Sequence, residues 1–530
     1  MLATARTVSL QGARGHVVDV QVDLSAGQVA TVLVGRPDAS ISEGRERCRA
    51  AIVNSGHEWP AARRVTILLS PTDLPKRGPH FDLAVAVAVM VANKTKVPDG
   101  VLARTVLIGE LSLDGRLRST PGVLPMVMAA AAHGITRVVV PEPQAGEAAL
   151  VDGVEVFGVR SLNQVLAVLR DAEVPEAPEV EPLTGEVVLT WRGEDRIESL
   201  DLADVIGMLD CRYALEVAAA GSHHLLLTGS KGAGKTSLAE RLPTILPSLD
   251  RQQSLELTAI HSLCGALPSG ASVLTRPPFR APHHTASRSG ILGGGTGRVQ
   301  PGEVSKAHHG VLFLDEFPLL PSDIVEALRQ PLESGLITIA RGDDDATYPA
   351  GGMLVLACNP CPCGEYSARR PDHACICSEP QRRTYRRKIS GPIADRIDIT
   401  RYVEQESQLR APCDPTPEDS ATVALRVAAA RERQRTRYAG AGWSVNGHVP
   451  GHALRNDWPL DGDATRQLDS AVYSGSLTRR GATRVHRVAW TVADLRGLER
   501  PGLEELFVAL RLRRGEPLDL SVVQQRREVS

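Results

Sequence analysis

The sequence predicts an α/β protein whose C-terminal part is helical. Short runs with apolar residues in alternation or in succession, such as HVVDVQVDL (16–24) and RVTILLS (64–70), are typical of β-strands. The apolar, Ala-rich stretch at 81–92 follows such runs and predicts a buried helix. After about residue 400 the strand-like runs fade, and a periodic pattern of Ala, Arg and Leu at 420–440 predicts helices.

The composition is that of an ordinary globular protein. Hydrophobic residues make up 42% of the 530-residue chain and charged residues 23%. The net charge of −2 excludes a uniformly basic nucleic-acid-binding protein but allows local basic surfaces. The N-terminus lacks the apolar core of a signal peptide, and the longest apolar run, at 81–92, is too short to span a bilayer. We therefore expect a cytoplasmic protein with no membrane partner.

An acidic segment divides the chain. Residues 171–200 carry nine acidic residues against two arginines, and three prolines fall in the first twelve positions. Such a composition buries little apolar surface and predicts a solvated linker. We accordingly predict an N-terminal α/β domain at 1–170, this linker at 171–200, a central domain at 201–403 and a helical C-terminal domain at 404–530.

A phosphate-binding loop is predicted in the central domain. The strand-like run HLLLTG leads into GSKGAGKT (229–236), which fits the pattern G-x-x-x-x-G-K-[ST], and SLAERL continues as a helix. In such loops backbone N–H groups surround phosphate oxygens, the lysine reaches the β- and γ-phosphates, and the hydroxyl ligates Mg²⁺. ATP and Mg²⁺ are thus the expected cofactors. The predicted nucleotide-binding residues are Gly229, Ser230, Lys231, Gly232, Ala233, Gly234, Lys235, Thr236 and Ser237.

Two carboxylates end the next apolar strand. The run GVLFLDEF (310–317) places Asp315 and Glu316 directly after its strand-like part. Asp315 is predicted to hold Mg²⁺ together with Thr236, and Glu316 is predicted to polarise the attacking water. This pair and the phosphate-binding loop predict ATP hydrolysis.

A cysteine cluster follows a third strand-like run, MLVLA. Five of the nine cysteines lie between residues 358 and 377, where the spacing is C-x-C, eleven residues, C-x-C. Four thiolates suit tetrahedral Zn²⁺, and His373 is a spare ligand. The spacing is tighter than the usual C-x-x-C, so a redox pair and unligated thiols are the alternatives. The predicted zinc ligands are Cys361, Cys363, Cys375 and Cys377.

A basic run surrounds the second cysteine pair. Residues 369–388 hold seven basic and two acidic residues, a net charge of +5. Such a run forms either a solvated surface or a contact for DNA phosphates. Histidine pairs stand at 223/224, 283/284 and 308/309. Neighbouring side chains diverge on a strand or helix, so we expect no metal at these pairs, although 283/284 are candidates for contact with DNA or nucleotide.

Longer stretches carry a family resemblance. They are RPPFRAPHHTAS (276–287), GGGTGRVQPGEVSKAHHGVLFLDEFP (293–318), LRQPLESGLITIAR (328–341), YPAGGMLVLACNPCPCG (348–364) and KISGPIADRID (388–398). These stretches resemble the ComM/YifB family of magnesium-chelatase-like AAA+ ATPases, over nearly the whole chain. The resemblance implies a P-loop AAA+ core, a Lon-protease-like α/β N-terminal domain and a helical C-terminal lid. It also implies a ring-forming, hexameric, ATP-driven DNA helicase that promotes branch migration, best known in natural transformation.

The chain departs from the family pattern in two places. The phosphate-binding loop reads SKGAG where PPGSG is commoner, and AHHG stands where AHNG is usual. Neither change removes a group that the resemblance assigns to hydrolysis.

The resemblance implies three further catalytic residues. Asn359 corresponds to sensor 1, which orients water against the γ-phosphate, and Arg396 to the arginine that a subunit offers to its neighbour's ATP. Arg480 is the expected sensor 2, in contact with the γ-phosphate of its own subunit. Arg484 and Arg487 share its helical face and are the alternatives.

Two loops are expected to face the ring channel and its DNA. The stretch at 290–303, which bears Arg298, and a hairpin predicted at 336–350 stand where resembling ATPases place channel loops. Isolated arginines on flexible backbone suit contact with phosphates without reading of bases. Because aromatic residues are only 3% of the chain, we expect a mainly electrostatic grip that is steeply salt-sensitive.

The N-terminal domain lacks protease chemistry. The stretch PKRGPHFDLAVAVAV (75–89) resembles the Lon segment in which a catalytic serine follows Gly-Pro, but residue 80 is histidine. Leu124 stands where the partner lysine would be. Without nucleophile or base no acyl-enzyme can form, so a scaffold for ring assembly or DNA contact is expected.

Two alternative functions share the same P-loop core. One is an ATPase subunit of a magnesium chelatase, and the other is a non-motor ATP switch that scaffolds partners. A Lon-like domain and a cysteine cluster argue against the chelatase subunit.

Overall fold

The computed structural model describes residues 2–181, 199–265, 267, 273–295, 299–341, 344–366, 375–389, 393–404 and 417–519. Arg298, His373 and residues 182–198 of the predicted linker lie outside the described residues. Across the described ranges, none of the helices combines the length and the apolar character needed to cross a bilayer.

The N-terminal part is built on a mixed sheet. Its strands are β1 (Leu2–Gln11), β2 (Arg14–Ser25), β3 (Thr31–Val34), β4 (Arg64–Ser70), β5 (Thr105–Leu107), β8 (Arg137–Pro141) and β9 (Glu155–Val159), beside a hairpin of β6 (Glu110–Leu111) and β7 (Leu117–Arg118). The seven strands lie in the order β3-β4-β2-β1-β5-β8-β9. Buried and half-buried side chains alternate along β2 and β4, as expected for strands with one covered face. The strands predicted at 16–24 and 64–70 are confirmed.

Within residues 2–181, five helices accompany this sheet. They are α1 (Ala39–Asn54), α2 (Asp82–Ala92), α3 (Val123–Ala132), α4 (Ala145–Ala148) and α5 (Leu162–Arg170). Helix α1 begins where the Asp38 carboxylate accepts the backbone N–H of Ile41, which caps a free helix N-terminus. Helix α2 is apolar on nearly every face and is correspondingly buried, which confirms the helix predicted at 81–92.

The central part is built on a parallel sheet. Its strands are β10 (Leu225–Gly229), β11 (Phe279–Arg280), β14 (Val311–Leu314), β17 (Met353–Cys358) and β18 (Ile399–Val403). The five strands lie in the order β11-β14-β17-β10-β18, and every neighbouring pair is parallel. All residues of β10, β14 and β17 are buried, as in sheets covered on both faces. Because the strands are parallel, their carboxyl ends meet at one edge of the sheet and their amino ends at the other.

Among the described residues, two antiparallel strand pairs and eight helices surround this sheet. The pairs are β12 (Gly293–Gly294) with β13 (Gln300–Pro301), and β15 (Leu336–Arg341) with β16 (Asp344–Pro349). The second pair confirms the hairpin predicted at 336–350. The helices are α6 (Leu209–Gly221), α7 (Lys235–Arg241), α8 (Arg251–Leu263), α9 (Arg288–Leu292), α10 (Glu303–Lys306), α11 (Ser322–Ala327), α12 (Arg329–Ser334) and α13 (Glu379–Ile389).

The regular elements described within 417–519 are all helical, in agreement with the sequence prediction. They are α14 (Ser420–Arg437), α15 (Gly451–Asn456), α16 (Gly462–Tyr473), α17 (Arg479–Arg496) and α18 (Leu503–Arg514), with a short 3-10 turn at Asn446–His448. Helices α14 and α17 pack on α6, and one apolar cluster runs from these helices into the central sheet.

The N-terminal and central parts share an apolar cluster. Val8 and Met126 of the N-terminal part belong to the same buried group as Leu263, Leu312 and Leu314 of the central part. Backbone hydrogen bonds cross the same boundary, for example from Gly122 N–H to the carbonyl of residue 262 at 3.0 Å. The two parts are therefore packed against each other without an intervening layer.

Candidate active site

The predicted phosphate-binding loop joins the end of β10 to the start of α7. Gly229 closes β10, and a Cβ there would lie 2.3 Å from the carbonyl oxygen of Val403, so only glycine fits between the strands. Gly234 has φ +93°, a left-handed conformation that glycine adopts without strain, and α7 begins at the next residue. The strand, loop and helix thus occur in the predicted order, with residues 230–234 between the two elements.

Lys235 lies at the centre of the loop. Its Nζ donates to the carbonyl oxygens of Gly229 and Ser230, both at 2.8 Å, and to Oδ1 of Asn359 at 3.1 Å. Burial lowers the pKa of Lys235, and the nearby charge of Asp315 opposes that shift. The predicted lysine and the predicted sensor residue are therefore in direct contact.

The carboxylates follow β14 at the same edge of the sheet. The Thr236 hydroxyl donates to Oδ2 of Asp315 at 3.4 Å, so the two predicted magnesium ligands face each other. The Glu316 backbone N–H donates to Oδ1 of Asp315 at 2.8 Å, and Glu316 itself has φ +48°. A non-glycine residue in this left-handed region is strained by about 1–2 kcal/mol, and such strain concentrates at functional sites. Ser237 and Lys231 are exposed at the mouth of the loop.

His284 lies beside the predicted base. Its Nδ1 is 3.8 Å from Oε2 of Glu316, and the His283 ring lies against it with ring centroids 4.1 Å apart. The sequence assigned this pair only to a contact with DNA or nucleotide. Its distance to Glu316 follows from the packing of the loop after β11 against β14, and no local motif indicates it.

Asn359 follows β17, between the loop lysine and the cysteine cluster. It is buried, and the preceding Cys358 thiol lies 3.3 Å from the Thr228 hydroxyl, with its pKa raised to about 11 by burial. Burial raises the pKa of Tyr385, on α13, and the backbone N–H of Asn359 opposes that shift. Tyr385 was not predicted from the sequence, because a single tyrosine in a basic run carries no motif.

Arg396 lies at the opposite edge of the sheet. It ends the 3-10 turn Ala394–Arg396, just before β18 begins, and is 7% exposed. Its Nε donates to Oε1 of Glu333 at 3.0 Å. The hydrogen bond from Arg396 holds the pKa of Glu333 below its ordinary value, and the charge of Arg480 adds to the effect. The structure therefore pairs Arg396 with Glu333, and the charge of Arg480 acts on the same carboxylate.

The three arginines of α17 have different environments. Arg484 donates to Oδ1 of Asp398 at 3.1 Å, and Arg487 donates to the carbonyl of Val449 at 2.8 Å, so both are tied inside the fold. Arg480, the predicted sensor 2, is exposed. It lies near the amino end of β18, and a five-residue strand such as β10 separates the two edges of the sheet by roughly 16 Å. Its predicted contact with ATP of the same subunit is therefore not supported by this position.

The histidine pair at 308/309 differs from the sequence expectation. His309 has φ +59°, so the two side chains converge instead of diverging, and their Nε2 atoms lie 3.5 and 2.9 Å from Oε2 of Glu256. Nδ1 of His308 accepts the backbone N–H of Gly351. The ring proton of neutral His308 is therefore on Nε2, the nitrogen that faces Glu256. Hydrogen bonds from both histidines hold the pKa of Glu256 well below its ordinary value. The three side chains thus form a cluster whose ligand atoms all lie within 4.8 Å of one another.

The predicted zinc ligands converge. The sulfur of Cys361 lies 3.2 Å from Cys363 and 3.8 Å from Cys375, and the sulfurs of Cys363 and Cys375 are 3.7 Å apart. With Cys377, the four sulfurs all lie within 4.8 Å of one another. Tetrahedral zinc with bonds of about 2.3 Å requires sulfurs roughly 3.8 Å apart, whereas a disulfide requires about 2.05 Å. The arrangement fits a zinc ion, and these thiols are not joined as disulfides.

The basic run forms helix α13. Arg382 pairs with Glu379 at 2.6 Å, and the guanidinium groups of Arg382 and Arg386 lie over the Tyr366 ring, 4.8 and 4.9 Å from its centroid. Within the described part of the chain, Arg383 and Arg387 have no ion-pair partner, and both are exposed.

The positions that would carry protease chemistry are buried. Nε2 of His80 lies 2.8 Å from the carbonyl oxygen of Val8, and Leu124 is fully enclosed.

Comparison with known proteins gives the family. The profile described as magnesium chelatase, subunit ChlI, matches residues 201–410, and two further ChlI profiles match 20–144 and 417–513. The chain is 45% identical over 97% of its length to an uncharacterized protein of Mycobacterium tuberculosis, covering 98% of that protein. It is 35% identical to YifB of Escherichia coli, with 93% of each chain covered. It is also 35% identical to competence protein ComM of Haemophilus influenzae, with 94% of each chain covered.

Proposed function

Since the chain belongs to the magnesium-chelatase-like family that includes YifB and ComM, we propose that it is a ring-forming ATPase that moves branched DNA. The observation that carries ATP hydrolysis is the meeting of Lys235, Thr236, Asp315 and Asn359 at the carboxyl edge of a parallel sheet. Ligands of open α/β sheets bind at this edge.

The residues at this edge divide the work of phosphoryl transfer. Lys235 neutralises charge on the β- and γ-phosphates, and the carbonyl oxygens that it contacts compete with those phosphates for its protons. The oxygens of Thr236 and Asp315 are hard ligands that suit Mg²⁺, which supplies further charge neutralisation. Glu316 takes the proton of the attacking water while the bond from the γ-phosphorus to ADP breaks. Asn359 orients that water.

The opposite edge supplies the remaining positive charge to a neighbouring subunit. Arg396 pairs with Glu333, the charge of Arg480 acts on the same carboxylate, and both arginines lie at the amino edge, away from Lys235 of the same chain. We therefore assign both arginines to the ATP of the adjacent protomer, which requires a homo-oligomeric ring, for which six subunits is the family expectation.

DNA is the proposed substrate of the motor. One relative of this chain, ComM of Haemophilus influenzae, is a competence protein, and competence involves DNA uptake. The hairpin of β15 and β16 and the exposed arginines of α13 offer contacts to phosphates that do not depend on sequence. Movement of junctions during recombination or natural transformation is the proposed task.

ATP hydrolysis measured with and without DNA tests this proposal. The full-length protein is assayed without DNA, with duplex DNA and with forked or four-way DNA, and strand exchange is followed on labelled junctions. We expect turnover to rise with branched DNA, junctions to move, and stimulation to fall steeply between 50 and 200 mM salt, by roughly 10³-fold in affinity for six phosphate contacts.

The same assay separates the alternatives. If no DNA changes the rate of ATP turnover, the DNA-motor proposal is wrong. That result would favour either a magnesium chelatase ATPase subunit or an ATP switch. The chelatase name of the family profiles is the observation behind the first of these.

We also propose a structural zinc ion at Cys361, Cys363, Cys375 and Cys377, supported by the convergence of their sulfurs. Thiolate character assists binding, and the backbone N–H of Glu365 lowers the pKa of Cys363 below its ordinary value. Bound zinc is measured in the purified protein and in a Cys375→Ser/Cys377→Ser variant. About one zinc per chain is expected in the first and far less in the second; near-zero content in both would remove the metal.

A further inference from the structure

The 3-10 turn that carries Arg396 is bound by helix α18 of the same chain. Nη1 of Arg513 donates to the carbonyl of Ala394 at 3.3 Å, and Nη2 donates to the carbonyl of Asp395 at 3.4 Å. Nη2 also lies 3.6 Å from Oδ1 of Asp395, and the Arg513 side chain is 14% exposed. One largely buried guanidinium group therefore contacts the two residues that directly precede Arg396.

Helix α17 contacts the same segment on both sides of Arg396. The hydroxyl of Thr478, the N-cap residue of α17, donates to Oδ1 of Asp395 at 3.4 Å. Within the helix, Arg484 donates to Oδ1 of Asp398 at 3.1 Å, and this carboxylate is buried. The residue before Arg396 and the residue two positions after it are thus each bound by α17.

The central sheet holds this segment from a later point. Strand β18 pairs with β10 from Ile399 onward, so Arg396 lies three residues before the paired strand. The backbone N–H of Asp398 donates to the carbonyl of His224 at 3.1 Å, two residues after Arg396. The hydrogen bonds from Arg513 therefore fix the turn ahead of the point at which the sheet begins to hold it.

Helix α18 is itself fixed against the sheet. Gly515 ends the helix with φ +74°, and a Cβ there would lie 2.8 Å from Cε2 of Tyr402 on β18. Nη1 of Arg401, on the same strand, donates to the carbonyl of Glu516 at 2.9 Å. Arg513 thus extends to the turn from a helix whose end is packed directly on β18.

We propose that Arg513 is a positioning residue that holds the turn of Arg396 in the conformation in which this arginine is offered to the neighbouring subunit. This inference rests on the proposed function, in which Arg396 acts on the neighbour's ATP, and adds the residue that places it there. The planar guanidinium group suits this task, because its fixed fork can bind two oxygens at once. A displacement of about 1 Å at a catalytic group lowers rates by roughly 100-fold, so loss of this support slows hydrolysis although the charge of Arg396 remains.

The C-terminal helices then serve both arginines that are assigned to the neighbour. Arg480 is part of α17 itself. Arg396 is joined to α17 and α18 through its flanking residues Asp395 and Asp398. The helical part of one subunit therefore carries one of these arginines and positions the other.

The test removes the guanidinium group of Arg513 in the full-length protein. In Arg513→Ala we expect kcat for ATP hydrolysis to fall roughly 10- to 100-fold, while KM and the equilibrium affinity for ATP stay within about twofold, because the groups that bind ATP remain. Arg513→Lys keeps the charge but loses the fork, and should recover only part of the rate. Arg514→Ala is the matched control, since Arg514 is the adjacent residue and its side chain is 43% exposed, and it should behave as wild type.

A double-variant comparison separates positioning from a purely structural role. Arg396→Ala/Arg513→Ala should turn over no more slowly than Arg396→Ala alone, because Arg513 acts through an arginine that is already absent. Single-turnover assays at high enzyme concentration resolve these slow rates. Mixing Arg513→Ala protomers with Glu316→Gln protomers should restore part of the turnover, since the defect lies in the arginine offered to the neighbour.

A second variant changes the contact from the side of the turn. Asp395→Ala removes the carboxylate that faces Arg513 and Thr478, and the Asp395 side chain is partly exposed, so its loss disturbs folding less than loss of the buried arginine. We expect kcat to fall by a smaller factor, roughly 3- to 10-fold, again without a further fall when Arg396→Ala is present. This variant decides the inference where Arg513→Ala fails to fold, as judged by thermal melting.

The outcomes separate this inference from the proposed function. If Arg396→Ala is slow while Arg513→Ala, or Asp395→Ala in its place, hydrolyses ATP at the wild-type rate, the positioning role is wrong and the proposed function stands. If the effects of Arg513→Ala and Arg396→Ala multiply in the double variant, Arg513 acts by another route and the inference is equally wrong. If Arg396→Ala itself hydrolyses ATP normally, the proposed function fails in its assignment of Arg396 to the neighbour's ATP.

Discussion

Under the proposed function, the two edges of the central sheet hold complementary halves of one reaction. At the carboxyl edge, Lys235 donates to Asn359 and Thr236 donates to Asp315, and the motifs that predict these residues are contiguous or end a strand. At the amino edge, Arg396 and Arg480 come from distant segments; Arg396 pairs with Glu333, and the charge of Arg480 acts on the same carboxylate. A single chain thus carries the two halves a strand length apart, and the proposed reaction requires a neighbouring subunit to complete each site.

The largest expected effect comes from the amino edge. Arg396→Ala should leave ATP binding intact and lower turnover by roughly 10³–10⁵-fold, because it removes the charge that stabilises the transition state at the neighbour. Steady-state ATP hydrolysis and equilibrium ATP binding measure the two quantities. Arg329→Ala, on the same surface but paired with Glu326, is the control and should change turnover little. An Arg396→Ala protein that hydrolyses normally would show that the two edges work independently.

The next effect belongs to the carboxyl edge. Glu316→Gln should slow hydrolysis by roughly 10²–10⁴-fold and leave ATP trapped in the protein, because the base is lost and the binding groups remain. Quench experiments that compare bound ATP with ADP measure this. Glu326→Gln, an exposed carboxylate on α11, serves as the control. Mixing Glu316→Gln protomers with Arg396→Ala protomers should restore part of the turnover, since each supplies what the other lacks at a shared interface.

Arg480 provides the sharpest test of which edge it serves. Loss of a charge-assisted contact should lower turnover by roughly 10–100-fold in Arg480→Ala, against little change in Arg479→Ala beside it. Mixing Arg480→Ala with Glu316→Gln protomers should again restore turnover if the arginine acts on the neighbour. If turnover is not restored, Arg480 acts on the ATP of its own subunit, as predicted from the sequence.

The smallest effect concerns Glu333, the carboxylate that pairs with Arg396. Glu333→Gln should change turnover by no more than about fivefold, because the ion pair involves a half-exposed carboxylate and such pairs contribute about 0–1 kcal/mol. We expect an increase at low protein concentration, since Arg396 is then released more readily to the neighbour. A loss as deep as that of Arg396→Ala would instead show that Glu333 orients the arginine in the assembled ring.

The carboxyl edge was largely predictable from the sequence. A glycine-rich loop, a lysine and strand-end carboxylates are local signals, and a parallel sheet gathers strand ends without further information. The hairpin of β15 and β16 and the convergence of four cysteines followed from patterning and spacing in the same way.

The amino edge and the inner face of α13 were not predictable in this way. The partner of Arg396 lies 63 positions earlier, Tyr385 is buried on the inner face of α13, and His284 lies 3.8 Å from Glu316 through packing of separate loops. The convergence of His308 and His309 depends on one left-handed residue that only the folded backbone reveals. Such features arise from tertiary contacts, and no single stretch of sequence encodes them.

Through the apolar cluster that the N-terminal and central parts share, the first 170 residues cover apolar surface of the central part. A shortened chain that begins near residue 201 would uncover Leu263, Leu312 and Leu314 to water. Such a fragment should aggregate and be poorly soluble, although it contains all the residues proposed to act in catalysis. The acidic segment after residue 170 therefore separates the two parts in sequence only. Because the two parts bury each other's apolar surface, a substitution at their shared cluster affects the stability of both.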